Sequence, residues 1–130
     1  KNQYSEFMFP PKYGIEPFKM KKYEANGLDE FGWHVDVNST GSMNRWLAFF
    51  CYLSDNDEGH TSFPYQKVGT DCKKGTIVMF PPMWPWLHAG TKPVDKPKYM
   101  IGSYLHYDDS FTKYVPVEEP ATESEWKNDY

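Results

Sequence analysis

The chain has 130 residues, enough for one domain with a hydrophobic core but not for two. Its formal charge is 14 − 18 = −4, and its basic residues form no stripe, so we expect no nucleic-acid partner. No apolar run reaches the roughly 20 residues of a membrane span, and the first residues lack the apolar core of a signal peptide. We therefore expect a soluble, cytoplasmic protein without a membrane segment.

Three segments are predicted along the chain. Residues 1–16 contain Pro10-Pro11 and are predicted to form an extended N-terminal arm. Residues 17–114 form the predicted domain, and residues 115–130 a loosely attached acidic tail. Cys51 lies in an apolar run and Cys72 in a polar turn, so two free thiols are expected, although the sequence also allows a disulfide.

The composition favours an all-β fold with few or no helices. Aromatic residues make up 18% of the chain, beside 11 Pro and 9 Gly, which is typical of short strands and turns. Residues 45–53 are continuously apolar and predict a central strand covered on both faces, with a short helix as the competing interpretation. The other predicted strands are residues 16–23, the stretch carrying His34 and Asp36, residues 61–65, the buried residues 76–80, and residues 98–107. Such strands without crossover helices indicate a double-stranded β-helix, the jelly roll that cupins share.

One short stretch suggests metal chemistry. In Phe31-Gly32-Trp33-His34-Val35-Asp36-Val37, residues two apart on a strand would present an imidazole and a carboxylate to one point, and His88 could complete the set. Two histidines and one carboxylate on one face of a metal are the ligands of non-heme Fe(II) oxygenases. By itself the pattern is weak, because a histidine on a strand is often purely structural.

Four further blocks make the assignment more specific. Residues 44–55 resemble a family strand that begins with Arg and ends in Tyr-Leu-Ser-Asp, and residues 58–64 resemble a Gly-Gly-x-Thr-x-Phe-Pro segment with Glu58 in place of the first Gly. Residues 73–80 resemble a Lys-Gly block that ends in Phe, and Lys98 follows His88 by ten residues. Over about residues 18–107 the chain thus resembles 2-oxoglutarate- and Fe(II)-dependent dioxygenases, specifically their prolyl 4-hydroxylase-like branch.

The resemblance implies a role for each of several residues. His34, Asp36 and His88 would hold Fe(II), and Lys98 would bind the far carboxylate of 2-oxoglutarate. Tyr52, Tyr23 and Tyr104 would also contact the co-substrate, with core packing as the alternative for each. Arg45 and Trp33 are candidate substrate contacts; a surface salt bridge is the alternative for Arg45, and core packing for Trp33.

The implied activity is hydroxylation of prolyl residues in a peptide or protein, with O2 consumed and 2-oxoglutarate decarboxylated to succinate. Ascorbate (vitamin C) is a further expected cofactor. The alternatives are the same chemistry on a free amino acid or another side chain, and a non-enzymatic metal-binding jelly roll. A nucleic-acid demethylase ranks last because Lys98 stands where other branches use Arg. The sequence leaves the oligomeric state open.

Besides Glu58, the chain departs from the family in two further respects. Members usually carry a helical segment before the His-x-Asp strand, whereas only 33 residues precede His34, so we expect a truncated or unusually small member. Tyr104 occupies a position where the family tends to have Trp.

Overall fold

A computed structural model describes residues 9–108 of the chain. Those residues form nine β-strands and no helix. The strands are β1 Tyr13–Ile15, β2 Lys19–Tyr23, β3 Phe31–His34, β4 Arg45–Tyr52, β5 Thr61–Phe63, β6 Val68–Thr70, β7 Ile77–Phe80, β8 His88–Gly90 and β9 Lys98–Tyr107. Within this range no helix is long and apolar enough to cross a bilayer. The predicted all-β fold is confirmed, while the predicted tail over residues 115–130 lies outside the described part.

The strands form two antiparallel sheets. The five-stranded sheet has the order β1-β9-β4-β7, with β2 also paired to β9, and the four-stranded sheet has the order β3-β8-β5-β6. The core between them contains Ala48 and Tyr52 from β4, Phe63 from β5 and Phe80 from β7. The β3-β8 pair therefore faces the β2-β9-β4 surface across the interior, as in a jelly roll.

The first predicted strand is shorter than expected, and the predicted arm contains a strand of its own. The sequence predicts one strand over residues 16–23, but the structure has β2 at Lys19–Tyr23 and a separate β1 at Tyr13–Ile15, within the predicted arm. Both pair with β9, β1 along residues 105–107 and β2 along residues 98–102. Pro17 lies between them, and because proline has no N–H to donate, it interrupts the hydrogen-bond ladder.

Strand β7 is buried on one face only. Along β7, Val78 and Phe80 are buried, whereas Ile77 is 62% and Met79 65% exposed. The prediction that residues 76–80 are fully buried is therefore wrong. Along β4, by contrast, every residue is buried or half-buried, as expected for a central strand. Cys51 and Cys72 are free thiols, as expected.

Candidate metal centre

Strand pairing brings the two predicted histidine ligands together. His34 ends β3 and His88 begins β8, and the two are direct partners in the antiparallel ladder, with ring centroids 4.1 Å apart. Asp36 lies just beyond the end of β3, not on the strand as predicted, and its backbone N–H donates to the Pro82 carbonyl at 2.9 Å. One ligand atom from each of His34, Asp36 and His88 lies within 4.8 Å of the others.

Backbone carbonyls fix the orientation of both imidazoles. Nδ1 of His34 lies 2.7 Å from the Gly32 carbonyl oxygen, and Nδ1 of His88 lies 2.9 Å from the Trp86 carbonyl oxygen. A carbonyl can only accept, so each Nδ1 carries the hydrogen and each neutral ring presents a lone pair at Nε2. This arrangement of histidines is common in metal sites, where a backbone acceptor sets the tautomer.

The facing atoms of this cluster fit a cation. Nε2 of His34 lies 3.4 Å and Nε2 of His88 3.6 Å from the Asp36 carboxylate oxygens, both too long for good hydrogen bonds. The His34 Nε2 atom is buried and has no hydrogen-bond partner. Two nitrogen lone pairs and a carboxylate directed at one point repel one another unless a positive ion lies between them, so the three residues could hold a divalent metal.

The electrostatics of the cluster favour the metal-binding forms of Asp36 and His88. Burial alone would raise the pKa of the Asp36 carboxyl, but the His34 and His88 rings and the Tyr104 hydroxyl together hold it below its usual value. Burial lowers the pKa of His88. Both directions favour an ionised carboxylate and a neutral imidazole, the forms that bind a metal.

Tyr104 contacts the cluster through Asp36. Its hydroxyl donates to Asp36 Oδ1 at 3.0 Å, and burial followed by the nearby Asp36 charge raises the pKa of Tyr104. The Arg45 guanidinium lies over the Tyr104 ring, 3.9 Å from the ring centroid. Arg45 itself forms a bidentate pair with Glu16, at 2.7 and 2.9 Å. The salt bridge considered for Arg45 is therefore present.

A buried lysine lies in the same cavity as the three residues. Lys98 is 1% exposed, and its ammonium donates to the carbonyl oxygens of Gly59 at 3.0 Å and Thr91 at 3.2 Å. The ammonium also lies 4.5 Å from the centroid of the Tyr23 ring. Burial lowers the pKa of Lys98. Because no carboxylate of residues 9–108 forms an ion pair with Lys98, the site is suited to an anion supplied from outside.

The cavity has a volume of about 200 Å³ and is walled by both sheets. Of the predicted site residues, His34, Asp36, His88, Lys98, Tyr23, Tyr104 and Arg45 line it. Tyr52 and Trp33 do not. The Tyr52 hydroxyl is fully buried and bonds to Thr61 and Thr70 at 2.8 and 2.9 Å, and Trp33 is 58% exposed on the face of β3 opposite His34.

Two basic cavity residues were not identified from the sequence. Lys19 and Lys21 precede Tyr23 on β2 at alternate positions, and all three side chains face the cavity. The Lys21 ammonium lies 4.2 Å from the Phe31 ring centroid, and burial lowers its pKa. Because alternate residues of a strand point to the same face, the assignment of Tyr23 to the cavity wall could also have indicated Lys21 and Lys19.

Comparison with known proteins identifies a family. The sequence family model of the 2OG-Fe(II) oxygenase superfamily matches residues 18–106 of this chain. That range contains His34, Asp36, His88 and Lys98. A search of curated protein sequences found no match.

Solved structures share the fold at low sequence identity. A viral collagen prolyl hydroxylase from Paramecium bursaria Chlorella virus-1, in complex with 2OG, is 22% identical with a TM-score of 0.64, covering 75% of this chain and 61% of its own. A truncated form of it is 23% identical with a TM-score of 0.63, covering 75% and 58%. Prolyl 4-hydroxylases from Phytophthora capsici give 20% identity and a TM-score of 0.58, covering 85% and 38%. This chain thus spans at most about three fifths of these proteins.

Proposed function

The chain belongs to the 2OG-Fe(II) oxygenase superfamily, and from this premise we propose that it is a 2-oxoglutarate-dependent dioxygenase that hydroxylates prolyl residues in a peptide or protein. The observation that carries the proposal is the content of one cavity. The cluster of His34, Asp36 and His88 and the buried ammonium of Lys98 both line it. In this proposal 2-oxoglutarate needs both groups: the metal binds the end with the 2-oxo group, and the ammonium of Lys98 binds the far carboxylate.

Each residue has a distinct task in this proposal. His34, Asp36 and His88 hold Fe(II), which supplies activation of O2 coupled to decarboxylation of 2-oxoglutarate to succinate. Lys98 fixes the far carboxylate of the co-substrate, and because its ammonium is directed by the Gly59 and Thr91 carbonyls, it needs little reorganisation on binding.

Other residues shape the metal environment. The Tyr104 hydroxyl orients the Asp36 carboxylate through its hydrogen bond at 3.0 Å. The Phe80 ring packs on the His88 ring at a centroid distance of 4.7 Å and helps to exclude water from that residue.

The identity of the substrate as a prolyl residue is a more specific proposal than the dioxygenase chemistry. It is supported by the motif resemblance to the prolyl 4-hydroxylase-like branch and by the fold shared with the viral and Phytophthora capsici prolyl hydroxylases. The alternative substrate is a free amino acid. An enzyme for prolyl peptides and an enzyme for free amino acids differ in the length of the substrate that they accept. Ascorbate stays a predicted addition to the reaction.

The test measures succinate release from 2-oxoglutarate with Fe(II) under air, alone and with proline-containing peptides or free L-proline. We expect a peptide to stimulate succinate release and to gain the mass of one oxygen on proline. Stimulation by free proline alone would replace the peptide with a small substrate. A folded, iron-loaded protein that releases no succinate under any condition would refute the dioxygenase assignment.

Two variants make the assay specific to the proposed centre. His34→Ala should abolish succinate release and lower metal affinity while the far-UV circular dichroism stays unchanged. His60→Ala is the matched control, because His60 is partly exposed beside Glu58 and lies outside the metal cluster of the described residues. Equal activity of both variants would remove His34 from the iron site.

A further inference from the structure

The charges that line the cavity do not balance. Four basic and two acidic side chains line it, which leaves 4 − 2 = +2. They are Lys19, Lys21, Arg45 and Lys98, with Glu16 and Asp36. This excess is local, because the whole chain carries a formal charge of −4. An anion entering the cavity is therefore attracted by residues placed there and not by the general charge of the protein.

Most of these charges have a partner once iron and the co-substrate are counted. Arg45 is neutralised by Glu16 through the bidentate pair at 2.7 and 2.9 Å. Lys98 takes one carboxylate of 2-oxoglutarate. The other co-substrate carboxylate and Asp36 together carry two negative charges, which match the two positive charges of Fe(II). Since Fe(II) and the 2-oxoglutarate dianion cancel, the excess of +2 is unchanged, and it resides on Lys19 and Lys21.

Lys21 is in direct contact with no carboxylate of residues 9–108, and the nearby Asp36 charge is already counted against Fe(II). The Lys21 side chain is partly buried, and within residues 9–108 it takes part in no salt bridge. The ammonium lies 4.2 Å from the centroid of the Phe31 ring. That ring contacts the His34 ring at a centroid distance of 3.9 Å. Lys21 thus presents its charge one aromatic ring away from a predicted iron ligand.

Lys19 extends the positive surface towards solvent. It precedes Lys21 by two residues on the same face of β2, lines the same cavity and is exposed. Lys22 lies between Lys21 and Tyr23 on the opposite face, where it forms a salt bridge with Glu24. Of the lysines on β2, Lys19 and Lys21 thus form no salt bridge within residues 9–108, and Glu16 and Asp36 act on them only at longer range.

Resting on the proposed function, we propose that the prolyl substrate is acidic. A carboxylate side chain next to the target proline binds Lys21, and a second carboxylate, nearer the mouth of the cavity, binds Lys19. With Fe(II) and 2-oxoglutarate already counted, the substrate is the remaining component that can supply the missing negative charge. A glutamate or aspartate beside the proline brings its carboxylate to the iron side of the cavity, where the Lys21 ammonium lies.

The test compares binding of two fluorescein-labelled peptides under argon, with Fe(II) and 2-oxoglutarate present so that no turnover occurs. One peptide has glutamates on both sides of a central proline, and the other has glutamines there. We expect wild-type protein to prefer the glutamate peptide by about tenfold, the size of one hydrogen bond between charged groups. Lys21→Met should abolish that preference, Lys19→Met should reduce it, and Lys22→Met should retain it.

Two results would overturn the proposal: equal binding of both peptides by wild-type protein, or a full glutamate preference in Lys21→Met. In the second case the affinity of Lys21→Met for 2-oxoglutarate is also informative, because it can be unchanged or lost. A lost affinity would assign Lys21 to the co-substrate. Calorimetric titration of 2-oxoglutarate into each folded variant separates these cases. If wild-type protein bound 2-oxoglutarate and released succinate but ignored peptide charge, only the acidic substrate would be refuted. If it bound no 2-oxoglutarate, the proposed function itself would fail.

Discussion

The Tyr104 hydroxyl donates a hydrogen bond of 3.0 Å to the Asp36 carboxylate, from a strand in the sheet opposite the one that carries His34 and His88. The Arg45 guanidinium, itself paired with Glu16, covers the Tyr104 ring. The carboxylate of Asp36, a proposed metal ligand, is thus oriented from the second sheet. The position at which the family tends to have Trp here carries a group that can hydrogen-bond a metal ligand.

Tyr104→Phe removes this hydrogen bond and keeps the ring. We expect metal affinity to fall by about tenfold, as is typical when a residue that orients a ligand is lost. Titration with Fe(II) under argon measures the change. Tyr99→Phe is the control on the same strand, since Tyr99 does not line the cavity. An equal effect of both substitutions would show that the Asp36 contact does not support the metal.

Lys98→Met tests the anion site while keeping most of the side-chain volume. We expect the affinity for 2-oxoglutarate to fall by tenfold or more, because a charge-assisted contact in a buried site is lost; a loss of about 1.4 kcal/mol already corresponds to tenfold. The rise in melting temperature caused by 2-oxoglutarate should disappear with it. Lys96→Met, at an exposed lysine paired with Asp95, should retain the full rise. A normal shift in Lys98→Met would exclude Lys98 from co-substrate binding.

Gly59 is coupled to the same lysine. Its φ of +90° favours glycine, and a Cβ added there would lie 3.1 Å from the Lys98 Cδ atom. Gly59→Ala should therefore lower both stability and 2-oxoglutarate affinity. Gly27→Ala is a matched control, because Gly27 has a φ of +73° but nothing within 4 Å of an added Cβ. It should show only the backbone cost, about 1 kcal/mol. Unchanged 2-oxoglutarate affinity in Gly59→Ala would contradict this coupling.

The Glu16–Arg45 pair makes stability depend on pH. The hydrogen bond from Arg45 holds the pKa of Glu16 below its usual value despite partial burial. A carboxyl whose pKa is lower in the folded state stabilises the protein above its unfolded-state pKa, and this contribution is lost as pH falls through the folded-state pKa. At neutral pH we expect Glu16→Gln to lower the free energy of unfolding by about 1 kcal/mol, since the pair is bidentate but not fully buried.

Urea unfolding of wild-type protein and Glu16→Gln from neutral to acidic pH measures this difference, which should shrink as the pH falls. Glu30→Gln serves as the control, because Glu30 pairs with Lys92 only at 3.8 Å on an exposed surface. A difference between Glu16→Gln and wild type that stayed constant with pH would show that packing, not charge, explains the effect of the substitution.

Sequence patterns predicted the strand content and the residues of the metal cluster. For one of these residues, Asp36, the prediction rested on a backbone conformation that the structure does not have. Asp36 lies after the end of β3, so strand alternation does not place it. The Pro82 carbonyl, which accepts from the N–H groups of Asp36 and Val37, holds that segment instead. The spacing was informative because residues close in sequence must remain close in space, whatever the exact backbone conformation.

The sequence by itself determined which side chains could hold iron and a dicarboxylate, because those tasks need particular chemical groups at short or characteristic spacings. Only the tertiary structure decided which aromatic and basic residues reach the cavity. The Tyr104 hydroxyl donates to Asp36, and the Tyr52 hydroxyl is hydrogen-bonded to Thr61 and Thr70. Lys21 lines the cavity and forms no salt bridge within residues 9–108. Their directions depend on how the two sheets pack and on which strands are neighbours, contacts between residues far apart in sequence that local patterns do not encode.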